Sequence, residues 1–470
     1  MQFIMLIVFV LGILAIAMED TLKINKAASA LLTALILWLI YIIMAPEFLG
    51  TGLNETFNVF LVDNPSIAEL PKMEQYRQFI VNHEIIEHLG DVSTTLFFVM
   101  STMVIIELID IHGGFLIITN SIHTENKRKL LVIVSFLAFF ISALLDNIAT
   151  AIVMIAMLRK LIPHSRERWI FASMIVIAAN AGGSWSPIGD VTTILLWTNG
   201  NLTPMHQISH LFIPSLICML VSLFIVTRFY KKDDRWDRDS MAFRATNQQT
   251  VLSPVHKKGR ITMLVIGVLS LAMVPVFNYF TGLPPFMGVL FGMVILWIYT
   301  DLIYGYEYEE APEKHKYRVA RVIGKIDMST ILFFLGILMS VAALESAGQL
   351  TQISEVLNKA GSPLLISFFI GAISSVLDNV ALVAATMGMY PVVDATAATA
   401  QYFAVNGEFW TFLAYCAVTG GSIFIIGSAT GVTIMGMEKI SFAYYMKRFT
   451  LVALSGYVAG AVVFYLMTLI

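Results

Sequence analysis

Charge is what this chain has least of. Only 13% of its 470 residues are Asp, Glu, Lys or Arg, and 58% are hydrophobic, whereas soluble globular domains carry about 25% charged residues. That balance describes a polytopic membrane protein, not a soluble enzyme or a nucleic-acid binder. There are two cysteines, Cys218 and Cys416, both in apolar segments, which supports neither a disulfide framework nor a thiolate metal site. The first apolar run, Phe3 to Met18, lacks a basic leader and a convincing small-residue cleavage site, and a second run follows at Ala27 to Ala45. It therefore reads as a retained helix and not a secretory signal. Long polar stretches are scarce as well, so little room is left for a separate soluble domain.

What is present is about a dozen apolar segments, each near the ~20 residues that a helix needs to cross a bilayer. Orientation follows from where Lys and Arg collect, because cytoplasmic loops carry the excess. Tyr230 to Arg260 holds eight basic residues and Gly305 to Lys325 holds five, whereas Pro46 to Gly90 has two against seven acidic, and Thr198–His210, Thr281–Pro285 and Pro391–Phe409 have none. Two segments do not fit single crossings. Leu130 to Leu158 has basic clusters at both ends (Lys127-Arg128-Lys129; Arg159-Lys160 with Arg166 and Arg168), and Leu364 to Tyr390 is flanked by basic-poor sequence on both sides. Each reads as a re-entrant helical hairpin turning at an Asp-Asn pair, Asp146-Asn147 and Asp378-Asn379; one long kinked helix in each place is the alternative. Spans near 3–18, 27–45, 91–111, 169–197 and 211–229 then accompany the first hairpin (130–158). Spans near 261–280, 286–304, 327–346, 410–437 and 449–470 accompany the second (363–390).

Five crossings plus one hairpin is an odd unit, so a second copy must lie upside down. The expected fold is thus all-α, with two inverted repeats over 1–230 and 261–470 joined by a cytoplasmic linker at 231–260, an arrangement common in secondary transporters. The duplication is visible in residues. Asp91-Val-Ser-Thr-Thr-Leu-Phe-Phe98 matches Asp327-Met-Ser-Thr-Ile-Leu-Phe-Phe334, Ile141 to Asn147 matches Ile373 to Asn379, and Gly182-Gly-Ser matches Gly420-Gly-Ser, in the same order and nearly the same spacing. The glycine pairs sit inside the spans 169–197 and 410–437, which predicts that those helices are unwound there. Unpaired backbone at membrane depth is tolerated only where it lines protein or water, and paired broken helices near the midplane are a recurring way to build a transport site.

Polar side chains in these segments are the candidate site. An intramembrane carboxylate is costly and usually serves a pathway; Asp146, Asp190, Asp378 and Glu107 qualify. Asn147, Asn180, Asn379, Ser184, Thr192, Thr193, Ser422 and Ser428 supply neutral oxygens around the same breaks. Carboxylate, amide, hydroxyl and carbonyl oxygens suit a small hard cation. Burial disfavours the charged form of a carboxylate, so a proton and a cation can compete for one such site. Plainer roles stay open: Asp146 and Asp378 as N-caps of hairpin arms, Asp91 and Asp327 as N-caps of spans, Asp190 as a structural hydrogen-bonding group, and His88 as an interfacial histidine.

The motifs ISALLDN and SSVLDN, NAGGSWSPIGDVTT, TGGSIFIIGSATG and DVSTTLFF together resemble the NhaD-type sodium/proton antiporters of the ion transporter superfamily. The resemblance implies exchange of cytoplasmic Na+, often Li+ too, for external protons by an elevator-like movement, in a homodimer in a bacterial inner membrane, with no enzyme activity and no resident cofactor. It implies ion and proton roles for Asp146, Asn147, Asn180, Asp190, Thr192, Thr193, Asp378 and Asn379, with Na+ held at Asp146, Asp190, Asp378 and Asn379. Glu107 and His88 become candidate pH-response positions. Two rivals remain. An arsenite or carboxylate carrier of the same superfamily shares the architecture, but the carboxylate carriers have Ser-Asn-Thr at the hairpin tips, and the aspartates here would repel an anion. An intramembrane aspartyl protease needs two aspartates in proximity, not two copies of one motif. If the hairpin tips carry transport, Asp146→Asn and Asp378→Asn each abolish or severely weaken Na+-dependent proton movement in liposomes while leaving folded protein, since amide and carboxylate are nearly isosteric.

Overall fold

A computed structural model describes residues 4–49, 55–115, 117, 122, 124, 126–231, 235, 257–304 and 317–469. Most of the 231–260 linker and much of the basic stretch from 305 lie outside the described residues. Among the described residues the regular structure is helical, apart from one isolated extended bridge, Asn126 to Arg235. Seven helices are long and apolar enough to cross a membrane, or nine if each of two bent pairs counts as one span. The sequence reading counted ten crossings. Four of these are interrupted, bent or short: 169–197 and 410–437 are each split in two, Lys258–Ala272 and Val274–Thr281 form one of the bent pairs, and Ile4–Ala17 has only 14 residues, whereas Lys127–Leu145, an arm of the first hairpin, counts among the seven.

The chain divides into two compact units. The first comprises 1–96, 327–362 and 380–391. At its centre Lys26–Ile43 packs along Met328–Ser346, and Gly336 makes that approach possible, because a Cβ there would lie 2.5 Å from the Leu31 backbone nitrogen. Asn25 caps the first of these helices through Ala27 N (2.8 Å) and Asp327 caps the second through Ser329 N (3.0 Å). Ser329 Oγ donates to Asn25 Oδ1 at 2.9 Å, so the two N-caps meet and the helices run parallel. Asp91, by contrast, caps nothing: the helix carrying it begins at Lys72 and continues through a π-turn at Ile80–Glu84 into Ile85–Ile111. The acidic Pro46–Gly90 stretch is therefore largely helical, and the loop after Ser346 forms the helix Gln349–Ala360.

The second unit comprises 97–326, 363–379 and 392–470. Here Lys127–Leu145 and Asn147–Leu161 are separated by Asp146, whose φ of 82° is the break. Laid end to end, 34 residues of helix would span about 50 Å. Yet Lys127 Nζ lies 2.8 Å from Glu167 Oε1, while Arg159 and Arg168 share the Glu438 carboxylate. The start of one helix and the end of the next thus meet the same first turn of Ser165–Ser184, and the chain doubles back at Asp146. Asp378 has no such positive φ among the described residues; of the second motif's arms, Pro363–Ile373 belongs to this unit, and Asn379–Met389 belongs to the first apart from Asn379.

Two interrupted helices complete the second unit. Ser165–Ser184 stops, residues 185–190 turn, and Val191–Thr198 follows; Glu408–Gly420 stops, residues 421–428 turn, and Ala429–Glu438 follows. The first break lies after Gly182-Gly183, and the second begins between Gly420 and Gly421. Gly182 is where the helix meets the Phe139 carbonyl and Gly420 where it meets the Gly371 carbonyl, and a Cβ at either would overlap that oxygen. The same contacts occur in both halves of the unit: Ser142 Oγ donates to Ala179 O at 2.6 Å, and Ser374 Oγ donates to Ala417 O at 2.7 Å. Gly182→Ala and Gly420→Ala should each cost ~1–3 kcal/mol by overpacking, read as a lowered thermal midpoint in detergent. Gly436→Ala, with open space around its Cβ position, should leave stability unchanged or raise it by up to ~1 kcal/mol.

Candidate functional site

Each break in the second unit leaves a helix N-terminus whose amides need acceptors, and short polar side chains supply them. Asp146 Oδ1 accepts from Ile148 N (2.6 Å), Asp190 Oδ1 from Thr192 N (2.8 Å), and Ser428 Oγ from Gly431 N (3.1 Å). Capping keeps these residues out of the helices and fixes their direction. A carboxylate at a helix N-terminus also meets the positive end of the helix dipole, which offsets part of the cost of burying it.

The side chains at these breaks form one hydrogen-bonded network. Asp190, 2% exposed, is its one carboxyl group. Its Oδ1 also accepts from Thr192 Oγ1 (2.5 Å) and lies 3.4 Å from the Asn379 amide nitrogen. Its Oδ2 accepts from the Asn147 amide. The Asn147 amide also donates to Asn180 Oδ1 (3.1 Å), and Asn180 in turn donates to Ser422 Oγ (2.9 Å) and Ser428 Oγ (3.0 Å). One continuous chain of polar atoms therefore runs from the first break through Asn180 to the second.

Asp190, Asn147, Asn180, Thr192, Asn379, Ser422 and Ser428 are thus brought together. Other residues singled out above are placed differently. Asp146 and Asp378 are only half-buried, and the Asp146 carboxylate serves its own helix cap. Thr193 Oγ1 donates to the Asp190 backbone carbonyl (2.8 Å), holding the turn and not the carboxylate. Ser184 is engaged elsewhere: it donates to Ala181 O and shares a 2.7 Å bond with Ser215, and Gln207 holds the carbonyls of Ser184 and Ser186. Glu107, half-buried on Ile85–Ile111, does not take part in this network. His88 belongs to the first unit, where Nε2 lies 3.1 Å from Ser346 Oγ.

Several residues at the breaks carried no sequence signal. Gln207 and Ser215 sit on Pro204–Thr227 and act only through contacts made in the fold. Tyr445 was equally silent; its hydroxyl donates to Ser422 O at 2.7 Å.

Chemically, the network offers one buried carboxylate surrounded by amide and hydroxyl groups. Among the described residues no three His, Cys, Asp or Glu side chains gather as metal-ligand clusters do. The donor set therefore suits a weakly held cation coordinated mainly by neutral oxygens, or a proton on the carboxylate, more than a tightly bound transition metal.

The profile of the citrate transporter family matches residues 13–412. Sodium/proton antiporters 1 and 2 of Arabidopsis thaliana are 38% and 35% identical to this chain over 97% of its length, covering 71% and 97% of those proteins. The Na+/H+ antiporter NhaD of Vibrio cholerae is 30% identical over 73% of the chain and 71% of that protein. If Ser428 serves both as cap and as acceptor for Asn180, Ser428→Ala should destabilise the protein by ~1–2 kcal/mol and Ser428→Thr should stay near the wild type. Thermal midpoints of the two purified variants compare them directly.

Proposed function

We propose that this chain, which belongs to the sodium/proton antiporters of the NhaD type within the citrate transporter family, exchanges Na+, and Li+ as well, for protons, and that both occupy the Asp190 network. The observation that carries the reading is the pairing of one deeply buried carboxylate with rotatable amides. Asn147 and Asn379 turn their amide nitrogens toward Asp190. Rotation of either amide presents its Oδ1 instead, which converts a ring of donors into a ring of cation ligands. A proton on Asp190 removes the charge that such a ligand set needs, so proton and cation exclude one another. Competition of this kind is sufficient for exchange: the site crosses loaded with one or the other, so the downhill movement of one drives the other in the opposite direction.

The hairpin centred on Asp146 and the two interrupted helices move as the carrying element in an elevator-like cycle, supported by the way their contacts are repeated within one compact unit. The repeats are inverted, supported by the repeated motifs and the distribution of basic residues. Na+ leaves the cytoplasm and protons enter, in a homodimer in the bacterial inner membrane, which rests on the resemblance alone. Asp146 and Asp378, at the hairpin turns and partly open, guide the cation to and from Asp190, and Glu107 and His88 tune the response to pH.

The family's description favours a second reading, carriage of citrate or a similar carboxylate. A tricarboxylate would face Asp190, Asp146 and Asp378 with no Lys or Arg in the described network, and like charges repel strongly at low dielectric. Cation exchange is the better fit. In liposomes holding the purified protein and an imposed pH gradient read by a quenchable dye, NaCl or LiCl should collapse the gradient and KCl should not. Inertness to all three salts together with uptake of labelled citrate would establish the second reading instead.

A further inference from the structure

Glu438 is a buried carboxylate that the proposed cycle does not use. Its side chain is 0% exposed and each oxygen serves a different helix: Arg159 Nε donates to Oε1 at 2.7 Å and Arg168 Nε to Oε2 at 2.8 Å. The backbone is tied as well. Trp169 Nε1 donates to Glu438 O (3.0 Å), the Arg159 guanidinium donates to Met437 O, and Arg168 Nη1 donates to Ile162 O and Pro163 O (both 2.9 Å). Three helix ends, Asn147–Leu161, Ser165–Ser184 and Ala429–Glu438, are thus bound by one side chain.

Those three helices also carry the network. Asn147 lies twelve residues before Arg159, Asn180 twelve after Arg168, and Ser428 ten before Glu438. At 1.5 Å per residue these are struts of about 18, 18 and 15 Å. An axial slip of one residue in any strut shifts its far end by about 1.5 Å, enough to break hydrogen bonds of normal length.

We propose that Glu438 is a positioning residue for the Asp190 network: by clamping Arg159 and Arg168 it fixes the axial register of three helices and so the spacing of Asn147, Asn180 and Ser428. The clamp itself is read from the geometry; its effect on transport rests on the cation-exchange reading above. Removing one member of a buried ion pair leaves the others uncompensated, whereas Arg159→Lys keeps the charge and gives up the forked geometry. Arg159 is 47% exposed, so that variant opens no internal cavity, and Arg168 still holds the other Glu438 oxygen.

Glu438→Gln and Arg159→Lys should raise the Na+ concentration for half-maximal exchange, by about tenfold and about threefold, with maximal rates within about twofold of wild type. Arg166→Gln, an exposed neighbour, should behave as wild type. A second readout needs no transport: hydrogen exchange at the Ile148 and Gly431 amides, which are bonded to the caps at the far ends of the struts, should quicken in both variants. If the wild type proves inert to cations, the exchange reading fails and the amide data alone judge the clamp. Unchanged Na+ dependence in Arg159→Lys with unchanged amide protection would overturn the proposal, as would a loss of maximal rate at unchanged half-saturation. If Glu438→Gln does not fold, Arg159→Lys decides.

Discussion

One buried amide holds the candidate site together. Asn180 accepts from Asn147 and donates to Ser422 and Ser428, so the side chain of one interrupted helix reaches both the turn at Asp146 and the break of the other interrupted helix. An unpaired amide at this depth would cost several kcal/mol. The surrounding polar atoms are therefore arranged around its three hydrogen bonds, and the breaks must stay where those bonds require them. The interruptions, the caps and the glycine approaches can all be read as consequences of keeping this amide satisfied.

The two halves of the second unit solve the same packing problem in the same way and then diverge in charge. Ser142 and Ser374 each bond a carbonyl on the facing interrupted helix, and Gly182 and Gly420 each admit a carbonyl at van der Waals range. At the caps that follow, the first half has Asp190 and the second has Ser428. A serine caps a helix as well as an aspartate does, so the substitution keeps the fold while leaving a single carboxylate in the hydrogen-bonded network. On the proposed cation-exchange reading, one carboxylate gives the competing proton and cation a common target; two facing each other would hold a shared proton and complicate the competition. Far from the network, Glu438 supplies a second fixed point, so the helices that carry the amides are held at both ends.

Much of this architecture was legible in the residues, and the physics explains which part. Helical spans show as long apolar runs because the bilayer leaves no other way to satisfy the backbone. Polar residues such as Asn180 and Asp190 stood out because they interrupt such runs at a cost. The breaks were harder to place: glycine pairs suggested unwinding, yet Gly182 and Gly420 are helical and serve close approach, and the chain turns only after them. A glycine's sequence context does not say which carbonyl will lie against it. The boundary near Asp91 failed for a similar reason, since the helix begins at Lys72 in sequence polar enough to read as a loop. Ser184 was grouped with the network by proximity in sequence, but helix periodicity turns it toward Ser215. Glu438, Arg159 and Arg168 are separated by up to 279 residues, and nothing local marks them as partners.

The most direct test of the account is calorimetric titration of Na+ into purified protein at alkaline pH, repeated in two buffers of different ionisation enthalpy, for the wild type and Asp190→Asn. The account predicts that the wild type binds Na+ with release of a proton, seen as a heat that depends on the buffer, and that Asp190→Asn shows neither binding nor release while melting cooperatively. Na+ binding of wild-type strength in Asp190→Asn, or binding in the wild type with no proton released at any pH tested, would contradict it.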